Sequence, residues 1–137
     1  HPLAQPAEAL VDLDRWVRGG GRVLLLADPA LDWPSERPLG DPLRPPPMFA
    51  DRGLLKRWGL DLAAPEERGP TERTLAGRTV LAASPGRLSG NCAVGGDGFV
   101  ARCTGGPGRA TAVPDADLLD AEGNLPALLA ELAALER

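Results

Sequence analysis

Four aspartates, a tryptophan and two cysteines are the side chains whose types and spacing can do chemistry. Asp28 ends the run Arg22-Val-Leu-Leu-Leu-Ala-Asp28, just before Pro29. Asp115 and Asp117 end a second apolar run, Arg109 to Val113. If the two runs are parallel neighbours, their carboxylates meet on one rim. Such an oxygen cluster suits hard cations such as Ca²⁺ or Mg²⁺ or carboxylate acid–base work. The spacing lacks the fixed glycine of an EF-hand loop. A plainer reading stands beside this one: an aspartate after a buried strand caps the next turn, so that Asp28 and Asp115 fix loops and bind nothing. Asp32 and Trp33 lie just beyond the first run. A tryptophan beside carboxylates can stack on a sugar ring, or anchor its loop by apolar area. The ligand-binding candidates are therefore Asp28, Asp32, Trp33, Asp115 and Asp117, with no metal and no cofactor assigned.

Nucleophilic catalysis finds little support. The one histidine is His1, and Ser35, Ser84 and Ser89 lack a G-x-S-x-G setting. A Cys–His pair would need a base from another chain. No catalytic residue is assigned, and the chain is not expected to be an enzyme.

Asp97-Gly98 is a dipeptide favoured in two-residue type I′ turns. With the turn there, the flanking runs Asn91 to Gly96 and Phe99 to Thr104 pair as a hairpin, and Cys92 falls opposite Cys103. Cross-strand Cβ atoms about 4.5–5.5 Å apart are near disulfide reach. A bridge would indicate an oxidising compartment. The alternative is two buried thiols packed as small apolar groups, because this register makes 92/103 a hydrogen-bonded pair, the less comfortable kind for a bridge. Two cysteines without a further pair or a usable histidine do not close a zinc site.

The elements that must position these groups follow from periodicity and breakers. Pro6 to Val17 has apolar residues at helical spacing (Leu10, Val11, Leu13, Trp16, Val17), with Asp12, Asp14 and Arg15 mainly opposite. Trp16 is expected at the core or its rim. Gly19 suits the positive-φ position after the helix. Residues 22–28 then read as a strand buried on both faces, shielded by helices. Ligands of open α/β sheets sit at the carboxyl ends of such strands. Residues 30–48, with a Pro45–Pro47 run, form a long loop, on which Arg37 and Arg44 can present a partner-binding surface. A short helix spans about 49–58, and strands are expected at 60–62, 78–83 and 109–113. Asn124 is placed to cap a last helix, 125–135, with Leu128, Leu129, Leu132 and Leu135 inward.

A chain of 137 residues with 43% hydrophobic residues fits one domain. There is no Tyr and no Ile, and only one lysine among the fifteen basic residues, a usage that points to GC-rich, bacterial coding. Net charge is −4, with no basic stripe, which argues against nucleic-acid binding. No apolar run reaches the roughly 18 residues of a membrane span, and no signal peptide is visible.

Three stretches carry a family resemblance: Leu13 to Pro29, with its Gly-Gly-Gly-Arg-Val-Leu-Leu-Leu-Ala-Asp-Pro; Leu54-Leu55 with Trp58-Gly59-Leu60; and Gly108-Arg-Ala-Thr-Ala-Val-Pro-Asp-Ala-Asp117. Together they resemble the gliding-motility and intraflagellar-transport type of domain, related to class I glutamine amidotransferases, with relatives among ABC-transport auxiliary subunits. The resemblance implies a flavodoxin-like α/β fold: a mostly parallel sheet flanked by helices, with a β-hairpin in the C-terminal half. Such domains usually open with one more strand, so the resemblance implies truncation at the N-terminus and an unpaired sheet edge that invites a homodimer. It also implies an extracytoplasmic, periplasmic location in a membrane-anchored parent. The related amidotransferases use a cysteine on a strand-to-helix elbow, and neither Cys92 nor Cys103 sits at one. The function so implied is a non-catalytic module binding an unknown protein partner or small ligand. The alternatives are a carbohydrate- or divalent-metal-binding sensor, and a hydrolase completed by residues outside this chain.

Overall fold

The computed structural model describes residues 7–30, 36–38, 41, 43 and 53–136. Helix α1 (Ala7–Arg18) buries Leu10, Asp14 and Val17. The chain turns through Gly19–Gly21, and it is Gly20, not Gly19, that takes the positive φ, 117°. Strand β1 (Arg22–Leu26) follows. Helix α2 (Leu54–Arg57) is the described part of the second expected helix, and residues 49–52 lie outside the described residues.

Six strands come next: β2 (Leu60–Ala63), β3 (Pro70–Leu75), β4 (Arg78–Ala83), β5 (Arg87–Gly90), β6 (Ala93–Gly95) and β7 (Val100–Gly105). Strand β8 (Gly108–Val113), two 3₁₀ turns (Asp117–Asp120 and Glu122–Asn124) and helix α3 (Leu125–Leu135) complete the chain.

The main sheet has the order β1-β8-β7-β6, and two-stranded sheets pair β2 with β5 and β3 with β4. The fold is mixed α/β, but the main sheet is not mostly parallel. Among the described residues only β1 and β8 run parallel; β8–β7 and β7–β6 are antiparallel. The connections explain why. Gly106-Pro107 and Asp97-Gly98 close tight hairpins, which join only antiparallel neighbours, whereas the long path from β1 to β8 permits a parallel return.

Alternation along β1 divides the core in two. Val23 packs with Leu25 and Ala27 against α1, α2 and the β2–β5 ribbon, through Leu10, Val17, Leu55, Leu60 and Leu88. Leu24 and Leu26 pack against the other cluster, with Val80, Phe99, Leu118 and Leu128. Both faces of β1 are thus covered, as a period of two demands. Its burial is nevertheless partial, because among the described residues β1 has a strand neighbour on one side only.

Three packing expectations are corrected. Trp16 is 54% exposed, and Val11 is exposed too. Leu129 and Leu132 face outward, leaving Ala127, Leu128, Glu131 and Leu135 as the inner face of α3. Asn124 makes no side-chain cap. Its buried amide instead grips β4, accepting from the Leu81 N–H at 2.9 Å and donating to the Leu81 carbonyl at 2.8 Å and the Leu118 carbonyl at 3.2 Å.

Candidate functional site

The parallel β1–β8 pair brings the predicted carboxylates together. The register sets Leu26 beside Val113, so the next few residues of each strand emerge at the same end of the sheet. Oxygens of Asp28, Asp115 and Asp117 lie within 4.8 Å of one another. Asp28 is 1% and Asp115 0% exposed, and Asp117 is nearly buried. Asp32 and Trp33 lie outside the described residues.

The hydrogen bonds show what the two buried groups do. Asp28 Oδ1 accepts from the Ala30 N–H at 2.8 Å, the geometry of a turn-capping aspartate. Its Oδ2 accepts from the Ala116 N–H at 3.0 Å, across to the other strand's loop. Asp115 repeats the pattern: Oδ1 takes the Asp117 N–H at 3.1 Å and Oδ2 takes the Ala83 N–H of β4 at 3.0 Å. Every oxygen of this pair holds a backbone donor, and three chain segments (the loops after β1 and β8, and the end of β4) are tied at one point. Ser84, with φ 47°, lies at the same end of β4, and its hydroxyl accepts from the Gly69 N–H at 2.9 Å.

Burial pushes the Asp115 carboxyl up, to about 8; the Ala83 N–H pulls the other way, and the charge of Asp28 and a hydrogen bond to it add to the rise. Asp115 is accordingly a neutral acid at mildly acidic pH, able to donate to its neighbour. A cation held by this trio would have to expel that proton and compete with four backbone donors.

The periodicity of α1 puts Asp14 on its polar side. Asp14 is instead buried, between Arg57 Nε at 2.6 Å, Arg18 Nε at 3.0 Å and the Trp58 indole N–H at 2.9 Å. Burial raises its carboxyl, but the Trp58 indole, Arg18 and Arg57 outweigh this and hold it below the usual carboxylate value. Glu131 is a third case: the one charged residue within α3 is buried and bound by the Arg102 guanidinium of β7. Sequence reasoning missed both. An acid four residues before Arg18 was the available signal for Asp14; for Glu131 it was an acid inside an otherwise apolar helix.

Cys92 and Cys103 are joined in a disulfide, with Cα atoms 4.8 Å apart. Gly95 pairs with Val100, and Asp97 and Gly98 both take positive φ, 57° and 86°. The register is the one expected, but the strands stop at Gly95 and Val100, so residues 96–99 form a four-residue connection rather than a two-residue turn. Cys92 stands just before β6 begins, one step beyond the Ala93–Arg102 pair of the ladder. The bridge fits a non-reducing, extracytoplasmic environment. No described helix is long and apolar enough to cross a membrane.

No family model matches the chain, and no curated protein matches it. Among solved structures, the chain is similar to an exo-beta-1,4-mannosidase, Op5Man5, from Opitutaceae bacterium strain TAV5, with a TM-score of 0.59 at 15% identity. The likeness covers 96% of this chain and 22% of the mannosidase, and it is a likeness of fold.

Proposed function

We propose that this chain is a non-catalytic binding module of an extracytoplasmic, membrane-associated bacterial protein, built on an amidotransferase-like α/β scaffold. The observation that carries the reading is the use of the strand-end carboxylates. Asp28 and Asp115 give all four oxygens to backbone N–H groups, which makes them fasteners of the rim loops rather than a free acid–base pair. The cysteines are bonded to each other and offer no thiolate nucleophile. The bridge supports the location outside the cytoplasm. In the mannosidase, a unit of similar fold makes up about a fifth of a larger chain, which supports a module within a larger protein. The helix, glycine turn and Asp-ended strand beside a parallel Gly-Arg strand support the gliding-motility-type kinship.

The reading is tested by incubating the protein with p-nitrophenyl β-mannoside and with ester and amide substrates. No turnover above buffer is expected. Turnover that Asp28→Asn or Asp117→Asn abolishes would make the carboxylates catalytic and overturn the assignment. Calorimetry with Ca²⁺ at pH 7 is expected to give no heat; a saturable heat lost in Asp117→Ala would favour the metal-sensor alternative.

A further inference from the structure

The outer edge of β1 is open among the described residues, and it is flanked above and below by apolar side chains that a solvated surface does not require. The Ala27 N–H bonds the Val113 carbonyl at 2.8 Å and the Arg109 N–H bonds the Gly21 carbonyl at 3.0 Å. By alternation, residues 21, 23, 25 and 27 face β8, while Arg22, Leu24 and Leu26 turn their N–H and C=O groups away from it. Such an edge is a template for another strand.

Above the edge lies α3. Glu131 reaches Arg102 of β7, so that side of the helix faces the sheet's interior. Leu128 packs in the cluster that receives Leu24 and Leu26. Leu125, Leu129 and Leu132, at i, i+4 and i+7, form a stripe on the opposite flank, beyond Leu128 and over the open edge. They are 52%, 53% and 45% exposed.

Below the edge, Asp14 points α1 toward Trp58 and Arg57, leaving Leu13 and Trp16 on the other flank. The Trp16 ring stands directly on Gly21, where an added Cβ would lie 2.5 Å from the ring. It therefore sits beside the entry to β1. Trp16 with the three leucines leaves roughly 400 Å² of surface open, about half of the ~800 Å² per partner that a standard interface buries, before the strand edge is counted.

We propose that this edge is the two-fold interface of a homodimer, with β1 of one protomer pairing antiparallel to β1 of its partner. The geometry is self-complementary. A two-fold through Leu24, normal to the sheet, pairs position 24 with itself and position 22 with 26, using the outward backbone groups. It keeps each face on its own side, so the leucine stripe of α3 meets its own copy above, and Leu13 with Trp16 meet theirs below. One closed contact would satisfy edge, stripe and tryptophan together, which is what an isologous interface requires.

Sedimentation equilibrium of the disulfide-bonded chain at 1–100 µM tests this, together with amide hydrogen exchange. The expected result is a dimer whose Leu24 and Leu26 amides exchange slowly, and at least tenfold faster on dilution to monomer. The variant Leu129→Glu/Leu132→Glu changes only exposed positions; it is expected to be monomeric, with an unchanged circular dichroism spectrum and rapid exchange at both amides. A wild type that stays monomeric at 100 µM would overturn the proposal and leave the edge to a strand from another polypeptide. So would a dimer that survives the double variant, or one in which the Leu24 and Leu26 amides exchange freely.

Discussion

Asp115 and Asp14 are buried carboxyls displaced in opposite directions, and the molecule's response to pH follows from both. Asp115 binds its proton more tightly folded than unfolded, being raised to about 8 by burial and by Asp28. Its contribution is complete below about pH 4, declines as pH rises and is gone above about pH 8. Asp14 is held low despite its burial by Trp58, Arg18 and Arg57; its contribution is present above about pH 4 and is lost as pH falls. Thermal melts are expected to show greatest stability at mildly acidic pH, with a decline toward pH 8. In Asp115→Asn the decline should flatten; a slope parallel to the wild type would refute the assignment. Asp14→Ala strands the Trp58 indole and two guanidinium partners, and urea titration should show a loss of about 1.5–3 kcal/mol. Asp28 and Asp115 were legible as a pair because strand ends are legible. That their oxygens are spent on Ala30, Ala116, Asp117 and Ala83 was not, because Ala83 comes from a strand 32 residues away.

Elements were read best where punctuation is local. Asp97-Gly98 set the hairpin register and, through it, the Cys92–Cys103 pairing. The bridge closes a short loop, so removing it in Cys92→Ala/Cys103→Ala should cost about 2–3 kcal/mol by urea denaturation. A loss near zero would mean that the hairpin holds without it. β5 escaped notice, because Arg87–Gly90 has no alternating apolar pattern and pairs only as a ribbon with β2. The Ala76-Gly77 turn, both residues at positive φ, extended β3 back to Pro70. Gly108 read as loop punctuation, yet a Cβ there would fall 1.5 Å from the Val17 carbonyl oxygen, where the end of α1 abuts β8. Gly108→Ala is therefore expected to lose about 3 kcal/mol or more, or to fail to fold, in a thermal-shift assay. Exposed Gly123, with nothing near its Cβ, is the control and should tolerate alanine.

The arrangement of layers decides what the whole molecule presents to its surroundings. Two apolar clusters on opposite faces of one sheet explain why β1 is aliphatic at every position after Arg22. Its side chains are only partly buried because, among the described residues, β1 has a strand neighbour on one side only. The rim at the carboxyl ends is stiffened by its own backbone bonds, and the α3 flank carries leucines where a solvent-facing helix would carry charge. A fixed rim and an apolar edge that is open among the described residues suit the proposed assembly. In the proposed dimer the rims would point in opposite directions, because the paired β1 strands run antiparallel.

The amino-acid sequence by itself determined what depends on neighbours a few residues apart. That covers α1 and its glycine exit, the β1 run, the Asp-Gly hairpin and its disulfide register, and the acidic ends of two strands. These are set by backbone sterics and by short-period burial patterns. Only the tertiary structure decided the mixed direction of the sheet, the burial of Asp14 and Glu131, the outward turn of Leu129 and Leu132, and the service of Asn124 to β4 rather than to a helix end. Each of those depends on which distant segment lies alongside. An apolar helix can turn any of several leucine flanks inward, and a buried acid is tolerated only where a distant partner (Arg57 for Asp14, Arg102 for Glu131) arrives to meet it.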